Sequence, residues 1–220
     1  MCPDDRSEGR QEQSLKRLFL TGPIGCGKST LIRTVLGDSF RVAGGFITER
    51  VLEGEELVGF DIVSLGDSTN QKLFQLDLTD PEWRKNDRHL RVRFLSFKGR
   101  EIKRNDEAFS VFASALLREA CKKPFAIMDE IGGFEILIPE FMEALEFFLQ
   151  SRVPCVGVLK SLPSSEKLSE AAGLGSQYLI AAKHLHLCLA SDPETDIVEF
   201  SGHEDIHALN TLRQWKEQYL

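Results

Sequence analysis

The chain reads as an α/β protein, a three-layer sandwich in which a mainly parallel sheet carries helices on both faces. Apolar runs of strand length alternate with segments whose apolar residues recur at helical spacing, and no internal repeat or low-complexity linker breaks the alternation. Size agrees: 220 residues with 42% hydrophobic content can bury one full core without disulfide or metal staples. The expected organisation is a flexible, polar tail over residues 1–14 followed by a single domain over 15–220.

Leu18, Phe19 and Leu20 place a first strand at 16–21, and Leu31, Ile32, Val35 and Leu36 a helix at 28–37 that Gly37 ends. Two extended runs, 40–51 and 57–64, turn at Glu53, Gly54, Glu55 and Glu56 as a β-hairpin. Ala108, Phe109, Phe112, Ala115, Leu116 and Ala120 predict a helix over 105–121, with Asn105 or Asp106 as N-cap and Pro124 as its stop. Phe125, Ala126, Ile127 and Met128 form a strand buried on both sides, followed by a helix from Pro139 to about Gln150 and a second buried strand over 153–159. A short helix at 164–172, strands at 184–190 and 196–200, and a final helix at 203–219 complete the order.

Between the first strand and its helix, Gly22, Pro23, Ile24, Gly25, Cys26, Gly27, Lys28 and Ser29 fit the pattern G-x-x-x-x-G-K-[ST]. Glycines let the backbone curl so that successive N–H groups point inward. The helix N-terminus adds partial positive charge where a polyphosphate would sit. Lys28 would reach the β- and γ-phosphates, the Ser29 hydroxyl suits Mg²⁺, and Thr30 supports the same shell. Asp129 and Glu130 follow the buried strand directly. Ligands in open α/β sheets bind outside the carboxyl ends of the strands, so both carboxylates should face the phosphate cradle. Asp129 would hold Mg²⁺ through its water shell and Glu130 would polarise a water for in-line attack on the γ-phosphate.

Composition narrows the partners. A net charge of −7 argues against general affinity for nucleic acid or anionic membrane. The five cysteines (Cys2, Cys26, Cys121, Cys155 and Cys188) are odd in number, widely spaced and without a C-x-x-C pair, which fits a reducing cytoplasm rather than a disulfide or zinc framework. No segment approaches the roughly 18 uninterrupted apolar residues of a membrane span. A monomer is expected.

The segments Gly44-Gly45-Phe46-Ile47-Thr48-Glu49, Gly59-Phe60-Asp61-Ile62 and Asp129-Glu130-Ile131-Gly132-Gly133-Phe134-Glu135, together with the glycine-rich loop, make the chain similar to a known family. It resembles the small P-loop nucleoside-triphosphatases first known from thermophiles, whose motifs run GxxGxGKTT, GGFxTxE with GFxI, and DEIGxxE. The resemblance extends from about Leu18 to Leu159. It implies a P-loop fold with a catalytic Glu beside the metal-binding Asp, and hydrolysis of several nucleoside triphosphates, ATP and GTP among them, with little base preference. Carried over by position, Gly22 to Thr30 bind phosphates, Asp129 serves Mg²⁺ and Glu130 orients water, while Glu135 matches the last motif position without an assigned role. Family members place a His-Arg pair after the next strand. Here Leu159, Lys160 and Ser161 stand there, so Lys160 is the candidate cation, a point charge without the planar fork of Arg.

Other features admit plainer readings. The basic residues Arg84, Lys85, Arg88, Arg91, Arg93, Lys98, Arg100, Lys103 and Arg104 make either a solvated hairpin face or a lid or docking site for a second phosphorylated molecule. His203, Glu204 and His207 match H-E-x-x-H but read as a solvent-facing helix start. His184 and His186 share one face of the expected strand and suit edge packing. Cys26 lies in the cradle, where its oxidation would block nucleotide binding. Two functional alternatives stay open beside hydrolysis: a nucleotide or small-molecule kinase using 84–104 as a lid, and a nucleotide-gated binding module.

Overall fold

The computed structural model describes residues 16–65, 83–86, 89–99 and 101–220, with only the backbone given for 83–86 and 89. The expected tail over 1–14 and the basic residues Arg88 and Arg100 lie outside these residues, and the side chains of Arg84 and Lys85 do too. In chain order come β1 (Arg17–Thr21), α1 (Lys28–Leu36), β2 (Gly44–Glu53), β3 (Glu56–Ser64), β4 (Trp83–Asn86), β5 (His89–Lys98), β6 (Glu101–Arg104), α2 (Ser114–Ala120), β7 (Ala126–Ile131), α3 (Pro139–Leu149), β8 (Cys155–Leu159), α4 (Leu162–Ala172), α5 (Gly175–Ser191), β9 (Thr195–Glu199) and α6 (Ile206–Tyr219).

All the strands join one sheet in the order β4-β5-β3-β2-β7-β8-β1-β9, with β6 added to β5. From β2 through β7, β8 and β1 to β9 the neighbours run parallel. Beyond β2 the sheet continues antiparallel through β3, β5, β4 and β6. The parallel part is buried on both faces because side chains alternate between two cores. Leu18 and Leu20 of β1, Ile127 of β7 and Val156 and Val158 of β8 join Ile32, Leu36, Leu212 and Trp215 under α1 and α6. Phe19, Met128, Cys155 and Leu159 point the other way, into a core built with Phe109, Phe112, Phe141, Phe148 and Tyr178. Helices therefore cover both faces of the mainly parallel region, as the sequence predicts.

Several boundaries differ from the sequence-based expectations. Residues 184–190 are helix, not strand: buried Tyr178, Ala182, Leu185 and Leu189 of α5 follow each other at helical intervals, while Leu187 is exposed. The shared strand face of His184 and His186 disappears with it. The extended run expected from Phe40 starts only at Gly44, because Gly37–Val42 form a 3₁₀ turn. The helix expected over 105–121 opens with a π-helical turn at Ala108–Ala113, where the Ser114 hydroxyl donates to the Phe109 carbonyl at 2.8 Å. The last helix begins at Ile206, with the Asp205 carboxylate accepting from the Ala208 N–H at 3.1 Å. His203 thus precedes the helix that carries His207, and H-E-x-x-H does not present two imidazoles on one helical face.

Gly45 shows why β2 can pair beside β7. Its φ is +88°, and a Cβ there would stand 2.2 Å from the Ile127 carbonyl oxygen, a backbone atom that cannot step aside. Gly54 in the hairpin turn has φ +64° but open space around it. Gly45→Ala is expected to destabilise the chain by more than about 3 kcal/mol and Gly54→Ala by about 1 kcal/mol, since only the first adds a clash to the left-handed backbone cost. Urea unfolding of the two variants checks this, and equal losses would remove the close approach as the cause.

Candidate functional site

β1 ends at Thr21, and the chain curls through Gly22–Gly27 into the N-terminus of α1. Gly22 has φ +137°, and a Cβ on it would meet the Phe200 carbonyl oxygen at 2.3 Å, so the segment after β9 forms the wall of the loop. The wall is fastened by the Phe200 N–H, which donates to the Thr21 carbonyl at 2.8 Å, and by the Cys26 thiol, 3.4 Å from the Phe200 oxygen. Pro23, Ile24, Gly25 and Thr30 are exposed, Cys26, Gly27 and Ser29 are partly covered, and Gly22 and Lys28 are buried. Lys28 folds back over its own loop: Nζ donates to the carbonyls of Gly22 at 3.1 Å and Pro23 at 2.6 Å and lies 3.6 Å from Cys26 Sγ.

A hydrogen bond ties the start of α1 to β7. The Ser29 hydroxyl donates to Asp129 Oδ1 at 2.8 Å across 100 positions of sequence. Asp129 is only 4% exposed, and burial, opposed by the Ser29 hydrogen bond, pushes its carboxyl up to about 7. A buried carboxylate next to a hydroxyl at a helix N-terminus is a hard-oxygen donor pair, and a divalent cation there would relieve the desolvation that raises Asp129. These two residues fit Mg²⁺.

Glu130, next along β7, is half-buried and accepts from Lys160 Nζ at 2.9 Å. Lys160 follows β8, and its N–H donates to the Ile131 carbonyl at 2.8 Å. The two catalytic candidates thus come from adjacent parallel strands and are joined to each other, so the Lys160 charge reaches the site already paired with Glu130.

Glu135, without a role at the level of sequence, is buried and holds the turn that follows β7. Its Oε1 accepts from the N–H groups of Gly132 at 2.6 Å and Gly133 at 2.8 Å. The Tyr178 hydroxyl donates to the Gly132 carbonyl at 2.8 Å from α5. Glycines that spare the backbone N–H groups for an acid three residues on are a visible signal for Glu135. Tyr178 left none, being reached only through tertiary packing.

The basic stretch resolves in part. Arg91 donates to Glu49 at 2.9 Å and lies 3.6 Å from Asp61, and Arg93 pairs with Asp61 as well. Asp61 is nearly buried, so these arginines neutralise the antiparallel region. Arg104 pairs with Asp106 and stacks over the Phe134 ring at 4.8 Å. Among the described residues no group of three His, Cys, Asp or Glu is arranged to hold a metal ion, and no helix is long and apolar enough to cross a membrane.

A glycine-rich loop into a helix N-terminus, with a hydroxyl on an acid of a buried strand two places away in the sheet, is the arrangement of a P-loop α/β fold. A model of the family described as NTPase matches residues 17–174. Nucleoside-triphosphatase THEP1 of Thermotoga maritima is 32% identical over 154 residues, covering 69% of this chain and 79% of the relative. The cancer-related nucleoside-triphosphatase of Homo sapiens is 31% identical over 153 residues, 67% of this chain and 75% of the relative. The crystal structure of THEP1 from Aquifex aeolicus superposes with a TM-score of 0.54 at 19% identity, covering 89% of this chain and 96% of the other, and carries the likeness of fold. The chain belongs to the nucleoside-triphosphatase family.

Glu135 gives the site a pH signature. Burial raises its carboxyl from 4.5 to about 7 against backbone hydrogen bonds and the Lys160 charge, which favour the anion, so the folded chain holds this proton more tightly than the unfolded chain. The stability so gained is complete below about pH 4.5 and is lost as pH rises through about 7. Glu135→Gln keeps the carbonyl acceptor and loses the titration. Its unfolding free energy is expected to fall less steeply than that of the wild type across this window, and parallel curves would contradict the assignment.

Proposed function

We propose that the chain hydrolyses nucleoside triphosphates to the diphosphate and phosphate with Mg²⁺, accepting ATP, GTP and other bases with little preference. The observation that carries this reading is the 2.8 Å bond from Ser29 to Asp129, which puts the phosphate loop and the acidic end of β7 on one lip of the sheet. Names of the relatives agree with it, since each is called a nucleoside-triphosphatase.

In this mechanism the loop amides and the α1 N-terminus grip the phosphate tail, and Lys28 exchanges its contacts with the Gly22 and Pro23 carbonyls for phosphate oxygens. Ser29 and Asp129 would hold Mg²⁺, which neutralises charge on the β- and γ-phosphates when bound. Glu130 orients a water and takes its proton while the water oxygen bonds to the γ-phosphorus. The bond from that phosphorus to the bridging oxygen breaks, and the electron pair leaves with the diphosphate. Lys160, 2.9 Å from one Glu130 oxygen, holds that carboxylate in place and adds positive charge beside the transferring group. Phosphoryl transfer asks for little covalent help, so positioning and charge suffice. We place the activity in the cytoplasm of the cell, where the thiols of Cys26, Cys121, Cys155 and Cys188, all unpaired, would persist. The working unit is a monomer.

Glu130→Gln is expected to slow phosphate release roughly 10²–10⁴-fold while nucleotide affinity holds. Lys28→Ala should weaken nucleotide affinity itself. Phosphate release from a panel of triphosphates in magnesium buffer, with calorimetric titration of each variant, checks both. Unchanged turnover in Glu130→Gln, or phosphate appearing only on an added acceptor, would overturn hydrolysis by this route.

A further inference from the structure

Helix α5 touches both catalytic loops by side-chain hydrogen bonds. The Tyr178 hydroxyl donates to the Gly132 carbonyl at 2.8 Å, on the turn that follows Glu130. Two helical turns on, His186 Nε2 lies 2.9 Å from the Lys160 carbonyl, where the imidazole must be the donor. Eight residues separate the two side chains, so they project from one face of α5. The Lys160 backbone is thereby held at both ends, its N–H on the Ile131 carbonyl and its carbonyl on His186. The turn after β7 is held from the opposite side by Glu135.

We propose that α5 is the positioning element of the active site, with His186 and Tyr178 setting the separation of Lys160 and Glu130 so that the hydrolytic step depends on a helix outside the residues matched by the family model. The proposal rests on the hydrolytic reading above. Lysine makes it necessary: an ammonium on a four-carbon stem does not orient itself, so its aim comes from where the backbone is pinned. His186 acts on the step only through Lys160. Tyr178 is buried, and burial pushes its hydroxyl up to about 12, so it remains a donor at neutral pH. Among the described residues no hydrogen bond joins His186 to the phosphate loop, which separates its effect from binding.

The test compares wild type, His186→Ala, His186→Gln and Tyr178→Phe for kcat and KM with ATP and magnesium, for binding of a non-hydrolysable triphosphate, and for thermal unfolding. Glutamine offers an N–H donor near the position of Nε2. His186→Ala is expected to lose roughly 10- to 100-fold in kcat, the scale of a reacting group displaced by about 1 Å, with KM and binding within about two-fold. His186→Gln should recover most of that loss, and Tyr178→Phe should lower kcat in the same way. Amide exchange at Lys160 and Ser161 should quicken in His186→Ala while that of β1 is unchanged. Full activity in His186→Ala overturns the proposal, and so does a Gln variant as impaired as the Ala variant. A loss of kcat that travels with binding and melting temperature in both His186→Ala and Tyr178→Phe assigns α5 to folding alone and also overturns it. Wild type releasing no phosphate removes the hydrolytic reading and this one with it, whereas an active wild type beside an equally active His186→Ala sinks only the role of α5.

Discussion

Two carboxyl groups are held out of water at the carboxyl end of β7, and the surroundings are arranged to tolerate that. Asp129 and Glu135 are both almost fully buried, and burial moves each up to about 7. Removing an ionised carboxylate from water costs several kcal/mol unless hydrogen bonds and opposite charge are supplied. The two acids are served differently. Asp129 receives one hydroxyl from Ser29 with the more distant charges of Arg33 and Lys28, whereas Glu135 receives two backbone N–H groups with Lys160 further off. Asp129 therefore remains short of positive charge, which suits a cation ligand, and Glu135 is satisfied locally, which suits a structural clamp.

The alternation of strand side chains then divides the work between the two faces of the sheet. Ile127 and Val158 belong to the core under α1 and α6, and Asp129 pairs in register with Val158 on that face, toward Ser29. Met128 and Leu159 belong to the opposite core, which also contains Tyr178 and Leu185 of α5. The glycine-rich loop is built against one layer of helices, and the segments that follow β7 and β8 are braced by the other. In the antiparallel extension beyond β2, Arg91 and Arg93 pair with Glu49 and Asp61.

What the sequence made legible was local. The glycine-rich loop, the doubly buried β7 and the acids at its end lie in short windows of sequence, and α1 and α3 follow from their own apolar periods. Residues 184–190 misled because His-Leu-His-Leu-Cys-Leu alternates with period two, and only a longer window from Tyr178 reveals intervals of four, three and four between buried positions. The expectation at His203 failed for a similar reason: the capping side chain is Asp205, two residues later. Tyr178 and His186 became functional candidates only when strands and helices far apart in sequence came together. Nothing in a linear pattern links position 178 to 132 or 186 to 160.

Lys160 illustrates how tertiary contacts can supply geometry that a side chain lacks. Guanidinium brings its own planar geometry and would need only approximate backbone placement. An ammonium brings charge alone, so geometry has to come from elsewhere, and in this chain three constraints meet at Lys160: the Ile131 carbonyl on its N–H, the His186 ring on its carbonyl, and Glu130 on its Nζ. With the side chain only 14% exposed, water competes weakly for that last contact and its electrostatic worth is greater than on the surface. A lysine so confined approaches the directional behaviour that arginine has by construction, and the confinement is supplied by β7 and α5 rather than by the residue itself.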